Sequence, residues 1–185
     1  MLRKTADRGS TIHAMASLDP LGSLTPDELA ALATSELLAL SRAILAELRH
    51  RGVIRSGNAP AGDYAELLVR VATGGELAPA SQKSWDVLAP DGERLQVKAR
   101  VVTNPRSAGE RQLSVFRAWD FDAAVVVLFD DEFCVWRATR LPVATVEEVS
   151  RFVEHVKGYR VIANDALLDQ GEDWTKLLRQ AADDN

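Results

Sequence analysis

The sequence has one cysteine, Cys134, so no disulfide can form within a single chain. It also lacks a long apolar run. The longest, Ala123–Phe129, has seven residues, whereas a helix needs about 20 to cross a bilayer. No apolar stretch follows the basic residues near the N-terminus, which disfavours a secretory signal. Together these absences predict a soluble protein of the reducing cytoplasm.

A basic composition, the usual sign of a nucleic-acid-binding protein, is also missing, because 27 acidic residues outnumber 22 basic ones. The charge is nevertheless unevenly distributed. Residues 94–117 contain six basic residues and a single acid, Glu110. A basic strip on an acidic chain suits a phosphate-bearing ligand, and the alternative is a solvated arginine-rich loop. The six basic residues are Arg94, Lys98, Arg100, Arg106, Arg111 and Arg117.

Helical patterns dominate the N-terminal third of the chain. Residues 1–22 show no periodicity, and we expect them to be disordered. Thr25 followed by Glu28 has the form of a capping box, which predicts a helix that begins at Pro26. Apolar residues at helical spacing predict a second helix over residues 35–50.

A third helix is expected from Pro60 to the glycine pair at residues 74–75. We therefore divide the chain into a helical extension, residues 23–57, and one α/β domain, residues 58–185. Two helices followed by basic residues also vaguely resemble a helix-turn-helix DNA-binding motif. The glycine expected between two such helices is missing, so a cap on the core or a dimerisation element is the better interpretation.

The apolar pattern then changes to a period of two, which is typical of strands. Short strands are predicted over residues 76–80 and 84–88. A turn at residues 90–92 leads into a third strand, residues 95–102, in which apolar and polar residues alternate. The apolar run Ala123–Phe129 predicts a buried central strand.

The rest of the chain alternates between helix and strand signals. The order as a whole predicts an α/β sandwich in which helices flank a mixed sheet. The remaining predicted elements are a short helix over residues 111–119, an acidic turn at 130–132 followed by a strand over 133–137, a capping box at Thr145–Glu148 that opens a helix to about Val156, a strand over 159–162 and a terminal helix over 174–182.

Polar residues gather where the first three strands are predicted to meet. Gln96 and Lys98 are two apart on one strand, so both project from the same face, and the preceding turn places Asp86 across from them. Hydrolysis of a phosphodiester needs a hard cation with oxygen ligands. Asp86, the Gln96 side chain and the Val97 main chain offer such oxygens. Lys98 would hold the attacking water or a phosphate oxygen, and Glu66 on the preceding helix would add a carboxylate.

This arrangement, Asp86 followed after a hairpin by Gln96-Val97-Lys98, resembles the PD-(D/E)XK, or restriction endonuclease-like, nuclease superfamily. A similar form occurs in the type IV restriction family that cuts modified DNA. Glutamine replaces the usual acid, and Trp85 rather than proline precedes Asp86. An acid on the preceding helix often joins the site in that superfamily, and Glu66 matches its place.

The resemblance implies a restriction-endonuclease-like fold and an endonuclease that depends on Mg²⁺ or Mn²⁺, with double-stranded DNA the favoured substrate. Arg100, Arg106 and Arg111 are expected to contact phosphates rather than bases. Cutting both strands calls for two active sites, so a homodimer is expected. The alternative, from a different class, is an inactive nucleic-acid-binding or protein-interaction module on the same fold. An edge strand that carries Asp, Gln and Lys by chance would account for the same pattern.

Overall fold

A computed structural model describes residues 25–55, 60–79, 82, 84–104 and 107–184. The expected disorder of residues 1–22 falls outside these ranges. The chain divides into two compact units, Met1–Ser41 and Arg42–Asn185. The boundary that we predicted between residues 57 and 58 stays a prediction.

The first unit contains the predicted capping box. Helix α1 (Pro26–Ala31) begins after Thr25, whose side-chain oxygen accepts a hydrogen bond from the Glu28 N–H at 3.2 Å. The Glu28 carboxylate accepts one from the Thr25 N–H at 2.7 Å. Both bonds satisfy backbone donors that a helix start leaves unpaired. Helix α2 (Thr34–His50) follows and crosses from the first unit into the second.

A six-stranded mixed sheet forms the centre of the second unit, which confirms the predicted fold class. The first three strands form an antiparallel meander, and β3 runs parallel to β4 with Lys98 aligned to Val126. The strand order is β1-β2-β3-β4-β5-β8. These strands are β1 (Glu76–Leu77), β2 (Val87–Leu88), β3 (Arg94–Val101), β4 (Ala123–Phe129), β5 (Val135–Pro142) and β8 (Glu172–Asp173).

Helices cover both faces of the sheet. On one face, α3 (Pro60–Thr73) and α6 (Thr175–Asp183) pack against β3 and β5. The other face carries α4 (Val143–Val149), α5 (Asp165–Leu168) and a separate hairpin of β6 (Arg151–Val153) and β7 (Gly158–Arg160). Every residue of β4 is buried. Burial on both faces explains why this strand reads as an unbroken apolar run.

One predicted helix is wrong. Residues 111–119 are extended, with isolated bridges from Gln112 to Ile162 and from Phe116 to Tyr159. Leu113 and Phe116 are buried against the second face of the sheet. Backbone hydrogen bonds from Leu113 to Val161 and from Phe116 to Tyr159 hold the segment in a non-helical conformation. Tertiary pairing here outweighs a weak local preference.

Other element bounds were also mispredicted. Helix α4 begins at Val143 after Pro142, whose side chain gives no cap, so Thr145 lies inside the helix rather than at its start. The helix ends at Val149, and β6 begins two residues later. The predicted strand over residues 84–88 is shorter, and Asp86 lies in a bend immediately before β2. Among the described helices, none is long and apolar enough to cross a membrane.

Candidate active site

Asp86 is anchored to β3 by both its backbone and its carboxylate. Its N–H donates to the Leu95 carbonyl at 2.8 Å. Oδ2 accepts hydrogen bonds from the Val97 N–H at 2.7 Å and from the Gln96 side-chain amide. Both carboxylate contacts involve the same oxygen, so Oδ1 is left to accept from a ligand. Burial nevertheless raises the pKa of Asp86, against the opposing effect of these two bonds and of Lys98.

Gln96 and Lys98 project from the face of β3 that lies opposite α3. Gln96 is only 7% exposed. Lys98 is half-buried, and its Nζ lies 5.0 Å from the centroid of the Phe116 ring. Burial lowers the pKa of Lys98, while Asp86 and then Glu66 act to raise it. The three predicted residues therefore lie within electrostatic reach of one another, as the spacing of two on β3 required.

Glu66 reaches the same site from α3. Its side chain is 15% exposed and forms an ion pair with Arg55. The pKa of Glu66 is raised to about 7, mainly by burial and then by the Asp86 carboxylate, while Arg55 acts to lower it. Two carboxylates thus share a partly buried site with insufficient positive charge.

Arg55 was not predicted from the sequence. Besides its ion pair with Glu66, its Nη1 donates to the Ala78 carbonyl at 3.1 Å, and its backbone N–H donates to Asp63 Oδ2 at 2.9 Å. These contacts tie the chain after α2 to α3 and to the residues after β1. Arg55 ends a short basic stretch, but nothing in that stretch indicates its partner.

The donor set fits a hard divalent cation. Mg²⁺ is usually bound by one or two carboxylates together with water and substrate phosphates. Asp86 and Glu66 supply two carboxylates, and Gln96 donates through its amide nitrogen, which leaves Oε1 as an acceptor. A cation would also favour the charged forms of both carboxylates, whose pKa values are raised mainly by burial. In the described ranges no group of three or more His, Cys, Asp or Glu side chains could hold a metal ion, and the candidate site has two carboxylates.

The predicted basic strip is largely engaged within the protein. Arg94 pairs with Asp122 at 2.9 Å, and the exposed Arg100 donates through Nε to the Glu110 carbonyl at 3.3 Å. Arg106 lies outside the described residues. Arg111 differs from Arg94 and Arg100 in its burial.

Arg111 is buried. Its guanidinium lies over the Trp136 ring, 5.1 Å from the centroid, and Nη2 pairs with Asp165 at 2.8 Å. Arg137 pairs with the same carboxylate at 3.0 Å. A guanidinium that is buried and already paired does not present itself to an incoming phosphate, so we do not carry Arg111 into the proposed site.

A cavity of about 790 Å³ lies elsewhere in the second unit. Its lining includes Leu48, Tyr64, Trp136 and Arg179, and none of the four predicted catalytic side chains belongs to it. The acidic residues 130–132 border this cavity and form the predicted turn, where Asp130 Oδ1 accepts the Cys134 N–H at 2.9 Å. The candidate site is therefore separate from this cavity.

No family model and no curated protein matches the chain. Among solved structures, a bacterial homing endonuclease, I-Ssp6803I, is similar with a TM-score of 0.41 and 19% sequence identity, over 68% of this chain and 94% of that one. A likeness of this degree does not establish a shared fold or a shared activity. The function is therefore argued from the geometry of Asp86, Gln96, Lys98 and Glu66.

Proposed function

We propose that this protein is a metal-dependent nuclease of the PD-(D/E)XK type that hydrolyses phosphodiester bonds in DNA, with Mg²⁺ or Mn²⁺ as its metal. The observation that carries the proposal is the convergence of Asp86, Gln96 and Lys98 where β2 meets β3, with Glu66 reaching them from α3. An edge strand that bore these residues by chance would have no reason to bury them together.

Each side chain has a distinct part in the reaction. Asp86 Oδ1, Gln96 Oε1 and the Glu66 carboxylate would hold the metal, which supplies charge stabilisation at phosphorus when bound. Asp86 Oδ2 stays hydrogen-bonded to the Val97 N–H, which fixes the orientation of the carboxylate. Arg55 would release Glu66 or remain as a neutralising partner beside it.

Lys98 is placed to orient the attacking water. Because burial lowers its pKa, its Nζ gives up a proton more readily than an exposed lysine. In the reaction the water oxygen bonds to phosphorus, the bond from phosphorus to the leaving sugar oxygen breaks, and that oxygen takes up a proton. Lys98 Nζ would hold the water, or a phosphate oxygen, in line for this exchange.

An inactive nucleic-acid-binding module remains the second candidate. The ion pair between Arg55 and Glu66 favours it, because it occupies a carboxylate that an active site would use. Gln96 also gives the site one negative charge fewer than the acidic form would have. The two candidates differ in whether DNA is cleaved or only bound.

Cleavage of plasmid DNA in Mg²⁺ or Mn²⁺ tests the proposal. Lys98→Ala should lower the rate at least about a hundredfold, because a positioned proton-transfer group contributes that much or more. Lys176→Ala is the matched control, since Lys176 is an exposed lysine on α6. Equal rates in the two variants would contradict the role of Lys98. A wild-type protein that binds DNA but leaves it intact in both metals would establish the inactive module instead.

A further inference from the structure

A row of aromatic rings leads from the candidate active site to the surface. Lys98 Nζ lies over the buried Phe116, which stacks on Trp119 with centroids 5.4 Å apart. Trp119 contacts Tyr159 at 5.0 Å, and Tyr159 contacts Phe152 edge-on at 5.2 Å. Phe152 is 54% exposed. The row of rings therefore ends in an aromatic side chain whose surface is open to a ligand.

The outer half of this aromatic row is held firmly to the inner half. Phe152 and Tyr159 are cross-strand partners in the β6–β7 hairpin. The Phe116 N–H donates to the Tyr159 carbonyl at 2.9 Å, and the Tyr159 N–H donates to the Phe116 carbonyl at 2.8 Å. The hairpin is thus bonded directly to the residue whose ring lies beneath Lys98.

The surroundings of the exposed ring are positively charged. The hairpin carries three basic residues and one acid, Glu154. Nearby, the exposed Arg117 donates to the Val156 carbonyl at 3.1 Å, and its charge lowers the pKa of Lys98. In the described part of the chain, no carboxylate forms an ion pair with any of these basic residues, which are Arg117, Arg151, Lys157 and Arg160. Arg151 and Arg160 pair across the strands next to Phe152 and Tyr159, so they project from the other face of the hairpin. Arg117 and Lys157 remain as unpaired cations near the exposed ring, and such cations suit a ligand with both anionic and flat aromatic parts.

Two polar atoms of the same region also lack partners. Trp119 Nε1 and Arg160 Nε are buried, and neither has a hydrogen-bond acceptor among the described residues. Most buried donors in folded proteins are satisfied, so two unsatisfied donors beside one surface need an explanation. Both atoms are buried, so internal water rather than a ligand at the surface would supply their acceptors.

We propose that Phe152 stacks on an unpaired base of the DNA substrate, with the Tyr159 ring supporting Phe152 edge-on, while Arg117 and Lys157 contact the flanking phosphates. The substrate class is then DNA with a single-stranded or unstacked stretch beside the scissile phosphate. Aromatic stacking suits any base, because every base presents a flat face, whereas a paired base within a duplex hides it. The location relative to the scissile bond rests on the proposed nuclease function, but the binding of an unpaired base does not.

Binding of fluorescently labelled oligonucleotides, followed by anisotropy in EDTA, tests this inference without cleavage. The wild-type protein should bind a single-stranded oligonucleotide more tightly than the matching blunt duplex. Phe152→Ala should weaken single-strand binding about tenfold, as expected for the loss of one base–aromatic stack. Leu177→Ala is the matched control, because Leu177 is an exposed apolar residue on α6, away from the hairpin.

Two further variants separate stacking from simple loss of apolar surface. Phe152→Trp should bind at least as well as wild type, whereas Phe152→Leu should lose most of the affinity that the alanine variant loses. Circular dichroism should show all variants folded. Equal binding by the alanine variant and the Leu177→Ala control, equal binding by the leucine and tryptophan variants, or a preference for duplex would each overturn the proposal. Cleavage is measured in a separate assay. If the protein does not cleave DNA, the binding measurements in EDTA still test whether Phe152 contacts an unpaired base.

Discussion

Asp86 uses one carboxylate oxygen for the protein and keeps the other for a ligand. The Val97 N–H and the Gln96 amide both donate to Oδ2, so the carboxylate cannot rotate freely. At the same time burial raises its pKa, which means that the surrounding donors do not fully compensate its charge. A carboxylate that is both oriented and undercompensated is well prepared to bind a cation.

Asp86→Asn should abolish Mn²⁺ binding measured by calorimetry, and with it any cleavage. The amide removes the charge that a divalent ion requires and can offer only one oxygen, which must also serve the Val97 N–H. Wild type and Lys176→Ala serve as references. A variant such as Asn104→Asp is unsuitable for this comparison, because it would add a negative charge to the protein. Equal Mn²⁺ affinity in wild type and Asp86→Asn would show that the metal, if bound, lies elsewhere.

Gln96→Glu should have opposite effects with and without metal. In EDTA the variant should unfold at a lower temperature than wild type, because the new carboxylate replaces a donor that Asp86 now accepts from. With Mn²⁺ its affinity should rise, since a charged oxygen replaces a neutral one. Thermal unfolding with and without Mn²⁺ gives both readings. Unchanged metal affinity would indicate that Gln96 is not a ligand.

At the scale of the elements, an ion pair and hydrogen bonds between Arg94 and Asp122 join the starts of β3 and β4. Asp122 Oδ1 pairs with Arg94 Nη2 at 2.9 Å, and Oδ2 accepts the Arg94 N–H at 2.8 Å. The Asp122 N–H in turn donates to the Arg94 carbonyl at 2.9 Å. Parallel strands cannot be joined by a tight turn, so contacts of this kind help to set the register of β3 against β4.

Asp122→Asn should therefore destabilise the protein in a pH-dependent manner. The hydrogen bonds from Arg94 lower the pKa of Asp122 from 3.8 to about 2. A lowered carboxyl pKa adds stability that is present above pH 3.8 and is lost as the pH falls towards about 2. The side chain is about half exposed, so solvent screening limits the expected loss at pH 7 to about 0.5–1 kcal/mol.

Urea unfolding of wild type and Asp122→Asn from pH 7 down to pH 3 measures this effect. The difference between the two proteins should shrink as the pH falls and should also shrink in 1 M salt, because an exposed pair is screened. Asp131→Asn serves as the control, since Asp131 is exposed and its carboxylate makes no ion pair in the described structure. A difference that stayed constant over this range would mean that the charge of Asp122 does not stabilise the fold.

At the scale of the whole molecule, α2 presents apolar side chains to solvent. Leu37, Leu38 and Ile44 are all exposed, and Leu38 most of all, at 66%. Exposed apolar patches often mark contacts between proteins. A second copy of the chain is the partner that cleavage of both DNA strands would require, because each chain contributes a single candidate site.

We therefore expect a homodimer that α2 helps to hold together. Light scattering at micromolar concentration should give twice the 20.2 kDa mass of one chain. Leu38→Arg should return the mass to that of a single chain, because a charge in an apolar interface is costly to bury. Leu177→Arg, at an exposed position on α6, should leave the mass unchanged. A wild-type mass near 20.2 kDa would refute the dimer and would favour nicking or single-strand cleavage.

The sequence by itself determined those features whose causes are local. The capping box joins Thr25 and Glu28 across three residues, and the alternation along β3 places Gln96 and Lys98 on one face. A short connection between β2 and β3 then brings Asp86 beside them. Such features depend on the period of the helix or strand and on turn geometry, which neighbouring residues specify.

Only the tertiary structure decided which charges are available and which are already paired. Arg111 is buried against Asp165, which lies 54 positions further along the chain, and Arg55 reaches Glu66 on another helix. The segment around Phe116 is extended because Tyr159 bonds to its backbone, although its local pattern suggested a helix. These outcomes depend on contacts between distant residues, where burial and pairing outweigh local preference, and no short window of sequence contains both partners.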